Sequence, residues 1–188
     1  MSNDASITAP QRRWDHHRTD RLLLEHVRAD DVDEWHAIHA DPRVWTHFPS
    51  GRHRSRDETA EFVSTSIDDW RSHGLGYWSI RTEPGGAIIG CGGCRVVPEL
   101  RRWNLYYRFG ADHHGHGYAS EVARAAVAAA NDVDPTVPVI AYMLEHNTAS
   151  WRVAERIGLA RVWVGPDEGN PDPQAVRYVY ADRPDVTI

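Results

Sequence analysis

His114-Gly115-His116-Gly117-Tyr118-Ala119 joins a segment with the character of a β-strand, residues 103–109, to an alanine- and valine-rich segment with the character of a helix, residues 120–131. Glycine lets the backbone approach an anion closely, and the first turn of a helix carries unpaired N–H groups and a partial positive charge. The stretch therefore favours a phosphate or pyrophosphate site that needs no lysine. Taken alone, it fits equally a tight strand-to-helix turn without a ligand.

Two common phosphate-binding motifs do not fit this stretch. A Rossmann loop has the spacing Gly-x-Gly-x-x-Gly after a parallel strand, followed by an acidic residue about 20 positions later. A P-loop has Gly-Lys-Ser or Gly-Lys-Thr. Here the spacing is Gly-x-Gly-x-Ala, no lysine follows, and no acidic residue stands out at the required distance.

The remaining sequence predicts one mixed α/β domain. Strand-like segments lie at residues 21–27, 76–81, 87–97, 103–109, 137–143, 160–164 and 175–180, and helices begin near residues 29, 55, 120 and 147. Short turns in the first half predict antiparallel strands, whereas strands and helices alternate in the second half. We expect residues 1–18, rich in arginine and histidine, to form a flexible N-terminal segment. Residues 19–188 are predicted to form the single domain.

Composition limits the class of protein. The 188 residues carry a formal net charge of −6 and are 41% hydrophobic. The negative charge argues against nucleic-acid binding and slightly favours a cationic substrate. No apolar run approaches the length of a membrane-spanning helix, and no apolar segment typical of a secretory signal follows the polar N-terminus. We therefore expect a cytoplasmic protein that binds neither membrane nor nucleic acid.

Cysteine and histidine raise the question of a metal or redox site. Cys91 and Cys94 lie in a predicted strand, where positions i and i+3 point to opposite faces, so we expect their thiols to diverge. Three of the twelve histidines, at positions 113, 114 and 116, lie close together. The glycines between them suit an anion bound by the backbone better than a metal cage. No metal is therefore predicted, and a histidine-based metal-binding protein remains the alternative.

The chain resembles the GCN5-related N-acetyltransferase (GNAT) superfamily. That superfamily has the loop Arg/Gln-x-x-Gly-x-Gly/Ala, which His114 to Ala119 matches, with His114 in place of arginine or glutamine. Downstream, Asn147-Thr148-Ala149-Ser150 opens a helix that ends in Gly158-Leu159. It is similar to the Asn-x-x-Ser helix ending in Gly-Phe of the branch that includes the ribosomal-protein N-terminal acetyltransferases. The resemblance extends over residues 19–182.

This resemblance implies a GNAT fold and acetyl-CoA as co-substrate. The fold is a central, mostly antiparallel, splayed sheet of six to seven strands flanked by about four helices, in a monomer or homodimer. Acetyl-CoA would enter where the strands around Phe109 and Val137 splay apart. Its pantetheine amides would pair with the backbone of residues 107–111, and its pyrophosphate with N–H groups of residues 115–119. The implied cofactor-binding residues are Phe109, Gly110, Ala111, His114, Gly115, His116, Gly117, Tyr118, Ala119, Ser120 and Asn147.

The implied reaction is attack of a neutral amine on the thioester, with the acceptor either a protein N-terminus or a small-molecule amine. Many superfamily members use a tyrosine as general acid, and its position here is Ala154. The branch that this chain resembles uses the serine of Asn-x-x-Ser, so Ser150 is the predicted general acid. The alternative is that Ser150 only caps the helix.

The general base and the acceptor site are less sharply defined. The glutamate that many members carry in the fourth strand aligns with Asn104, which cannot accept a proton; Glu145, Asp167, Glu168 and a water relay are the open candidates. The aromatic segment around Trp45 and Phe48 is predicted to line the acceptor site, with a satellite core cluster as the alternative. The lost tyrosine and glutamate also leave open a non-catalytic acyl-CoA-binding or regulatory module.

Overall fold

A computed structural model describes residues 13–186 of the chain as one eight-stranded sheet with four α-helices. The strands are β1 (His16–Arg18), β2 (Leu23–His26), β3 (Tyr77–Arg81), β4 (Gly90–Val97), β5 (Arg102–Phe109), β6 (Val139–Leu144), β7 (Ala160–Pro166) and β8 (Val176–Ala181). The helices are α1 (Val32–His39), α2 (Arg56–His73), α3 (Tyr118–Val133) and α4 (Thr148–Arg156). The strand order in the sheet is β1-β2-β3-β4-β5-β6-β8-β7.

The sheet consists of two antiparallel halves that meet at one short parallel contact. Strands β1 to β5 pair antiparallel with their neighbours, and so do β6, β8 and β7. Between the halves, β5 and β6 pair through only two positions, Trp103 with Val139 and Asn104 with Ile140. The predicted splayed, mostly antiparallel sheet is thus confirmed, with eight strands in place of six to seven.

The additional strand comes from the segment that was expected to be flexible. Trp14 is buried, its Nε1 donates a hydrogen bond to Asp132 Oδ2 at 2.8 Å, and its carbonyl accepts one from Trp78 Nε1 at 2.8 Å. These contacts hold β1 against β2. The prediction of a flexible segment is therefore wrong for residues 13–18, whereas residues 1–12 lie outside the described residues.

Helix α3 packs closely on the centre of the sheet because its inner face is made of small residues. Ala123, Ala126 and Ala130 are fully buried against β4 and β5. Small side chains let the helix axis approach the strands, and the start of the helix is thereby fixed at the end of β5. The phosphate-loop stretch consequently lies over the edge where β5 and β6 separate.

Strand β4 is shorter than predicted, because it starts at Gly90 rather than residue 87. Both of its cysteines are buried and free. Cys91 Sγ lies 3.8 Å from His39 Nε2, whereas the pKa of Cys94 is raised by burial and, secondarily, by Asp182. The two thiols thus have different neighbours, which agrees with the predicted divergence.

His39 is the most deeply buried histidine of the described chain, with no exposed surface. Its Nδ1 lies 2.9 Å from the Trp35 carbonyl, which only accepts, so Nδ1 carries the proton. Nε2 is then the acceptor for the Tyr106 hydroxyl at 3.2 Å. Burial, which is the largest cause, lowers the pKa of His39 to about 3.

This buried imidazole makes stability depend on pH. A free histidine has a pKa of about 6.5, so the unfolded chain binds the proton more tightly than the folded one. The stabilisation is complete above pH 6.5 and is lost as the pH falls from 6.5 towards 3. Between pH 7 and pH 4.5 we expect His39 to remove about 2–3 kcal/mol from the free energy of unfolding.

Urea unfolding of the wild type and His39→Gln at both pH values measures this contribution. Glutamine keeps a donor and an acceptor but does not titrate, and the other histidines with lowered pKa remain in both proteins. Between pH 7 and pH 4.5, the free energy of unfolding of the variant should fall by about 2–3 kcal/mol less than that of the wild type. Equal losses in the two proteins would contradict the assignment.

Candidate active site

The separation of β5 and β6 opens a cleft of about 930 Å³. Residues of both strands form its sides, and the α1–α2 loop, the start of α3 and the start of α4 complete it. Eleven predicted site residues line this cleft: Trp45, Phe48, Phe109, His114, Gly115, Gly117, Tyr118, Ala119, Ser120, Asn147 and Ser150. Three predicted residues do not line it: Gly110, Ala111 and His116.

Along β5, the backbone N–H groups point alternately towards β4 and towards the cleft. Gly110 N–H donates to Ile89 O at 3.0 Å, towards β4, while Trp103 N–H donates to Pro138 O at 2.9 Å, towards β6. Because backbone groups alternate between the two sides of a strand, the N–H groups of Tyr107 and Phe109 face the cleft beyond the end of the parallel contact. Gly110 is therefore wrong as a backbone donor to a ligand, since its N–H is already bonded within the sheet.

The glycine loop has the conformation that its sequence suggested. Gly115 and Gly117 both have φ of 79°, in the left-handed region that favours glycine. Gly117 is the N-cap of α3, and no side chain caps this helix. The N–H groups of the first helical turn, Tyr118 to Ser120, are consequently left for an external acceptor, the arrangement that binds phosphate.

An arginine far away in sequence holds the outer side of this loop. Arg21 Nη1 donates to His116 O at 2.8 Å, and Arg21 Nη2 pairs with Glu121 Oε2 at 2.7 Å. The Arg21 guanidinium also lies 4.9 Å from the ring centre of Tyr118, on which the His116 ring stacks. His116 thus supports the loop from outside the cleft. The sequence offers one signal for this contact, the acidic Glu121 in the first turn of α3.

His114 and Ser120 have more defined contacts than the sequence indicated. His114 Nε2 donates to the Phe109 carbonyl at 3.0 Å, so His114 ties the loop to the end of β5. Ser120 is buried, and its hydroxyl accepts a hydrogen bond from Arg156 Nη1 at 3.4 Å. Arg156 and Arg152 line the cleft beside the start of α3 and add positive charge there; neither was predicted.

Ser150 lies in the first turn of α4 with its hydroxyl available. The N-cap is Asn147, whose Oδ1 accepts a hydrogen bond from Ser150 N–H at 3.3 Å. Within residues 13–186 the Ser150 hydroxyl itself makes no hydrogen bond, so the capping alternative is wrong. The Tyr107 hydroxyl donates to the Ser150 carbonyl at 3.4 Å, and burial raises the pKa of Tyr107 to about 12.

The carboxylates considered as general bases are poorly placed for that role. Glu145 does not line the cleft and accepts a hydrogen bond from Tyr178 at 2.6 Å. Glu168 does not line it either. Asp167 does, but it is held by Arg177 and Asn170. Asn104 lies in the cleft with its amide nitrogen 3.3 Å from the Tyr77 hydroxyl.

A histidine pair at the cleft was missed from the sequence. His146 Nε2 donates to the His47 carbonyl at 2.8 Å, which leaves the lone pair on His146 Nδ1. His47 is half-buried, and burial followed by the nearby Arg108 charge lowers its pKa to about 4. His146 directly precedes the Asn-x-x-Ser motif, and this position is the signal that sequence reasoning passed over.

Charge in the cleft is opposite to that of the whole chain. Five arginines line it, Arg43, Arg108, Arg152, Arg156 and Arg177, against one acid, Asp167. The expectation of a cationic substrate rested on net charge and is not supported here, because the acidic residues lie mostly elsewhere on the surface. Over residues 13–186, no cluster of three potential ligands from His, Cys, Asp and Glu is placed to hold a metal. Nor does any helix in that range have the length and apolar character needed to cross a membrane.

Comparison with known sequences identifies the family to which the chain belongs. The model for the acetyltransferase (GNAT) domain matches residues 21–160, which is most of the chain. This chain belongs to the GNAT acetyltransferase family. The family resemblance read from the loop and from the Asn-x-x-Ser helix is thereby confirmed.

Several known proteins are similar to this GNAT protein over most of their length. An uncharacterized protein of Bacillus subtilis (strain 168), YkkB, is 30% identical over 146 residues, covering 75% of this chain and 83% of YkkB. The acetyltransferase structure from Agrobacterium tumefaciens str. C58 superposes with a TM-score of 0.71 at 27% identity, over 88% of this chain and 93% of that one. RimL, a ribosomal L7/L12 alpha-N-protein acetyltransferase in complex with coenzyme A, shares the fold with a TM-score of 0.71 at 18% identity, over 90% and 97% of the two chains.

Proposed function

We propose that this GNAT protein transfers an acetyl group from acetyl-CoA to a primary amine by direct attack within a ternary complex. The observation that carries the proposal is the uncapped start of α3, which opens into the cleft through two glycines in the left-handed conformation. The acceptor is a protein N-terminus or a small-molecule amine. The complex of RimL with coenzyme A supports a cofactor of this kind in a protein of the same fold.

Acetyl-CoA binds mainly to backbone groups in this proposal. Its pyrophosphate is held by the N–H groups of residues 118–120, and Arg156 adds a cation beside Ser120. Its pantetheine arm follows the free edge of β5, where the N–H groups of Tyr107 and Phe109 face the cleft. One of these N–H groups stabilises the oxyanion that forms when the amine attacks the thioester carbonyl.

Proton transfer needs one group to take a proton and one to give it. An alkylamine has a pKa of about 10 and reacts only when neutral. His146 Nδ1, with its lone pair free, is the proposed proton acceptor, directly or through water. The Ser150 hydroxyl is the proposed donor to the leaving sulfur, and the proton removed from the amine replaces the one that Ser150 gives up. The product is the thiol, which is the main form near pH 7 because its pKa is about 8.5.

A second candidate function is a non-catalytic acyl-CoA-binding module. Asn104 in place of the usual glutamate favours it, as does Ala154 in place of the usual tyrosine. The only carboxylate that lines the cleft, within the residues described, is Asp167, and Arg177 neutralises it. Binding of acetyl-CoA is common to both candidates, whereas turnover belongs only to the enzyme.

Calorimetry with acetyl-CoA, followed by an acceptor screen that measures release of free CoA, tests the two candidates. We expect binding with one site per chain and amine-dependent CoA release well above the rate of hydrolysis. Binding without release for any amine or peptide N-terminus would favour the non-catalytic module. Absence of acetyl-CoA binding would exclude both.

A further inference from the structure

Arg108 is held rigidly in the cleft by three neutral groups. Its Nε donates to the Tyr106 hydroxyl at 2.8 Å, and its Nη1 donates to the Val44 carbonyl at 2.6 Å. The centre of its guanidinium lies 3.4 Å from the ring centre of Trp45. These contacts fix the plane of the side chain before any ligand arrives, so little conformational entropy remains to be lost on binding.

No acid neutralises this arginine within residues 13–186. Arg108 forms no ion pair there, and its Nη2 donates no hydrogen bond in the same part of the chain. Two other arginines of the cleft are different: Arg43 is paired with Asp41 and Asp112, and Arg177 with Asp167. A half-buried guanidinium without a carboxylate is unfavourable by itself and gains most from an anion that enters the cleft.

In the proposed binding mode, acetyl-CoA makes no contact with the Arg108 guanidinium. Side chains alternate along β5, so Arg108 shares a face with Asn104 and Tyr106, towards α1 and the loop that carries Trp45. The pyrophosphate site lies at the start of α3, where Arg156 is available, and the pantetheine arm carries no charge. The free guanidinium therefore belongs to the acceptor side of the cleft.

We propose that the acceptor carries a negatively charged group, a carboxylate or a phosphate, in addition to its amine, and that Arg108 binds this group. The proposal rests on the proposed acetyltransferase function and specifies its substrate class. A guanidinium donates two parallel hydrogen bonds to either anion, so the chemistry is the same for both. Arg108 is then a specificity-determining residue.

The contact between the two histidines favours a small acceptor. His47 lies in the α1–α2 loop, and His146 follows β6, so the hydrogen bond of 2.8 Å between His146 Nε2 and the His47 carbonyl joins two elements that line the cleft. The 930 Å³ of the cleft must also hold the pantetheine arm. An amino-acid-sized molecule fits this space better than an extended polypeptide.

Acceptor pairs with and without an anionic group test the proposal, and because the anion also raises the pKa of the amine, each kcat/KM is expressed per neutral amine. Glycine, alanine, serine and phenylalanine are each compared with their amides, and phosphoethanolamine with ethanolamine, by release of free CoA from acetyl-CoA. We expect the wild type to use the anionic member of at least one pair with a kcat/KM about 10- to 100-fold higher than that of its neutral partner. The two kinds of pair distinguish a carboxylate from a phosphate.

Variants assign the preference to Arg108. Arg108→Gln should abolish the difference within each pair while KM for acetyl-CoA stays within about twofold, and Arg108→Lys should keep part of it, because the charge remains without the planar fork. Arg71→Gln, an exposed arginine of α2 paired with Asp68, is the matched control that should keep the full preference. Thermal unfolding confirms that the variants are folded.

Three results would overturn the proposal: equal use of both members by the wild type, preference for the neutral member, or an equal loss for both members in Arg108→Gln. If acetyl-CoA binds but no pair is turned over, the proposed function fails separately. Calorimetry of the same pairs with the CoA complex then decides: anion-selective binding that Arg108→Gln abolishes supports the site, and binding without selectivity or no binding overturns it.

Discussion

Replacing Gly117 by valine is expected to weaken acetyl-CoA binding about 100-fold. Gly117 has φ of 79°, a conformation that costs a β-branched residue on the order of 1–3 kcal/mol, and tenfold in affinity corresponds to about 1.4 kcal/mol. Relaxation of the loop to remove this strain also turns the first N–H groups of α3 away from the pyrophosphate. Calorimetry with CoA measures the effect directly.

Gly85→Val provides the matched control for this substitution. Gly85 has φ of 70° in the β3–β4 connection, no atom lies within 4 Å of a Cβ placed there, and it does not line the cleft. Its replacement introduces similar backbone strain, so it should lower thermal stability but leave CoA affinity unchanged. Equal affinity for CoA in Gly117→Val and the wild type would rule out the loop as the pyrophosphate site.

Ser150→Ala should lower kcat about 100- to 10,000-fold, the range expected for loss of a general acid. KM for acetyl-CoA should remain near the wild-type value, because the proposed contacts of Ser150 form with the leaving thiolate rather than with the bound cofactor. Within the described residues the hydroxyl has no hydrogen bond to lose, so the free energy of unfolding should change by less than about 0.5 kcal/mol. Single-turnover kinetics and urea unfolding measure these quantities.

Asn147→Ala separates a role in the helix from a role in catalysis. Asn147 caps α4 through its contact with the Ser150 N–H, so this variant should lose about 1 kcal/mol of stability. A wild-type kcat in Ser150→Ala would remove Ser150 as the acid. Tyr107→Phe would then become the decisive variant, because the Tyr107 hydroxyl is a second proton donor in contact with this turn.

The parts of the site that depend on neighbouring residues could be predicted from the sequence. Gly115 and Gly117 followed by a helix give the loop, and the motif from Asn147 to Ser150 gives the start of α4. Both are local, because the backbone conformation and the helix start follow from residues a few positions apart. The same holds for most of the strands and helices, whose periodicity is local as well.

The parts that were missed depend on contacts between distant residues. Trp14 is ordered by Trp78 and Asp132, 64 and 118 positions away, and no local pattern reveals these partners. Arg108 is held in place by contacts with the Val44 carbonyl and the Trp45 ring, more than 60 positions away in the sequence. The choice between Tyr107 and Gly110 as backbone donors depends on the register with β4, which hydrophobic periodicity does not determine.

Only two residue pairs join β5 to β6, so the backbone pairing of the sheet falls into two halves that share one hydrophobic core. Within each half, antiparallel backbone hydrogen bonds join neighbouring strands. Helix α3 follows β5 and precedes β6, so it connects the two halves along the chain. Acetyl-CoA bound as proposed, with contacts to β5 on one side and to α4 on the other, would bridge the sheet where few backbone hydrogen bonds join its two halves. If acetyl-CoA binds in this way, we expect it to raise the apparent thermal stability of the protein, because it binds the folded chain and not the unfolded one.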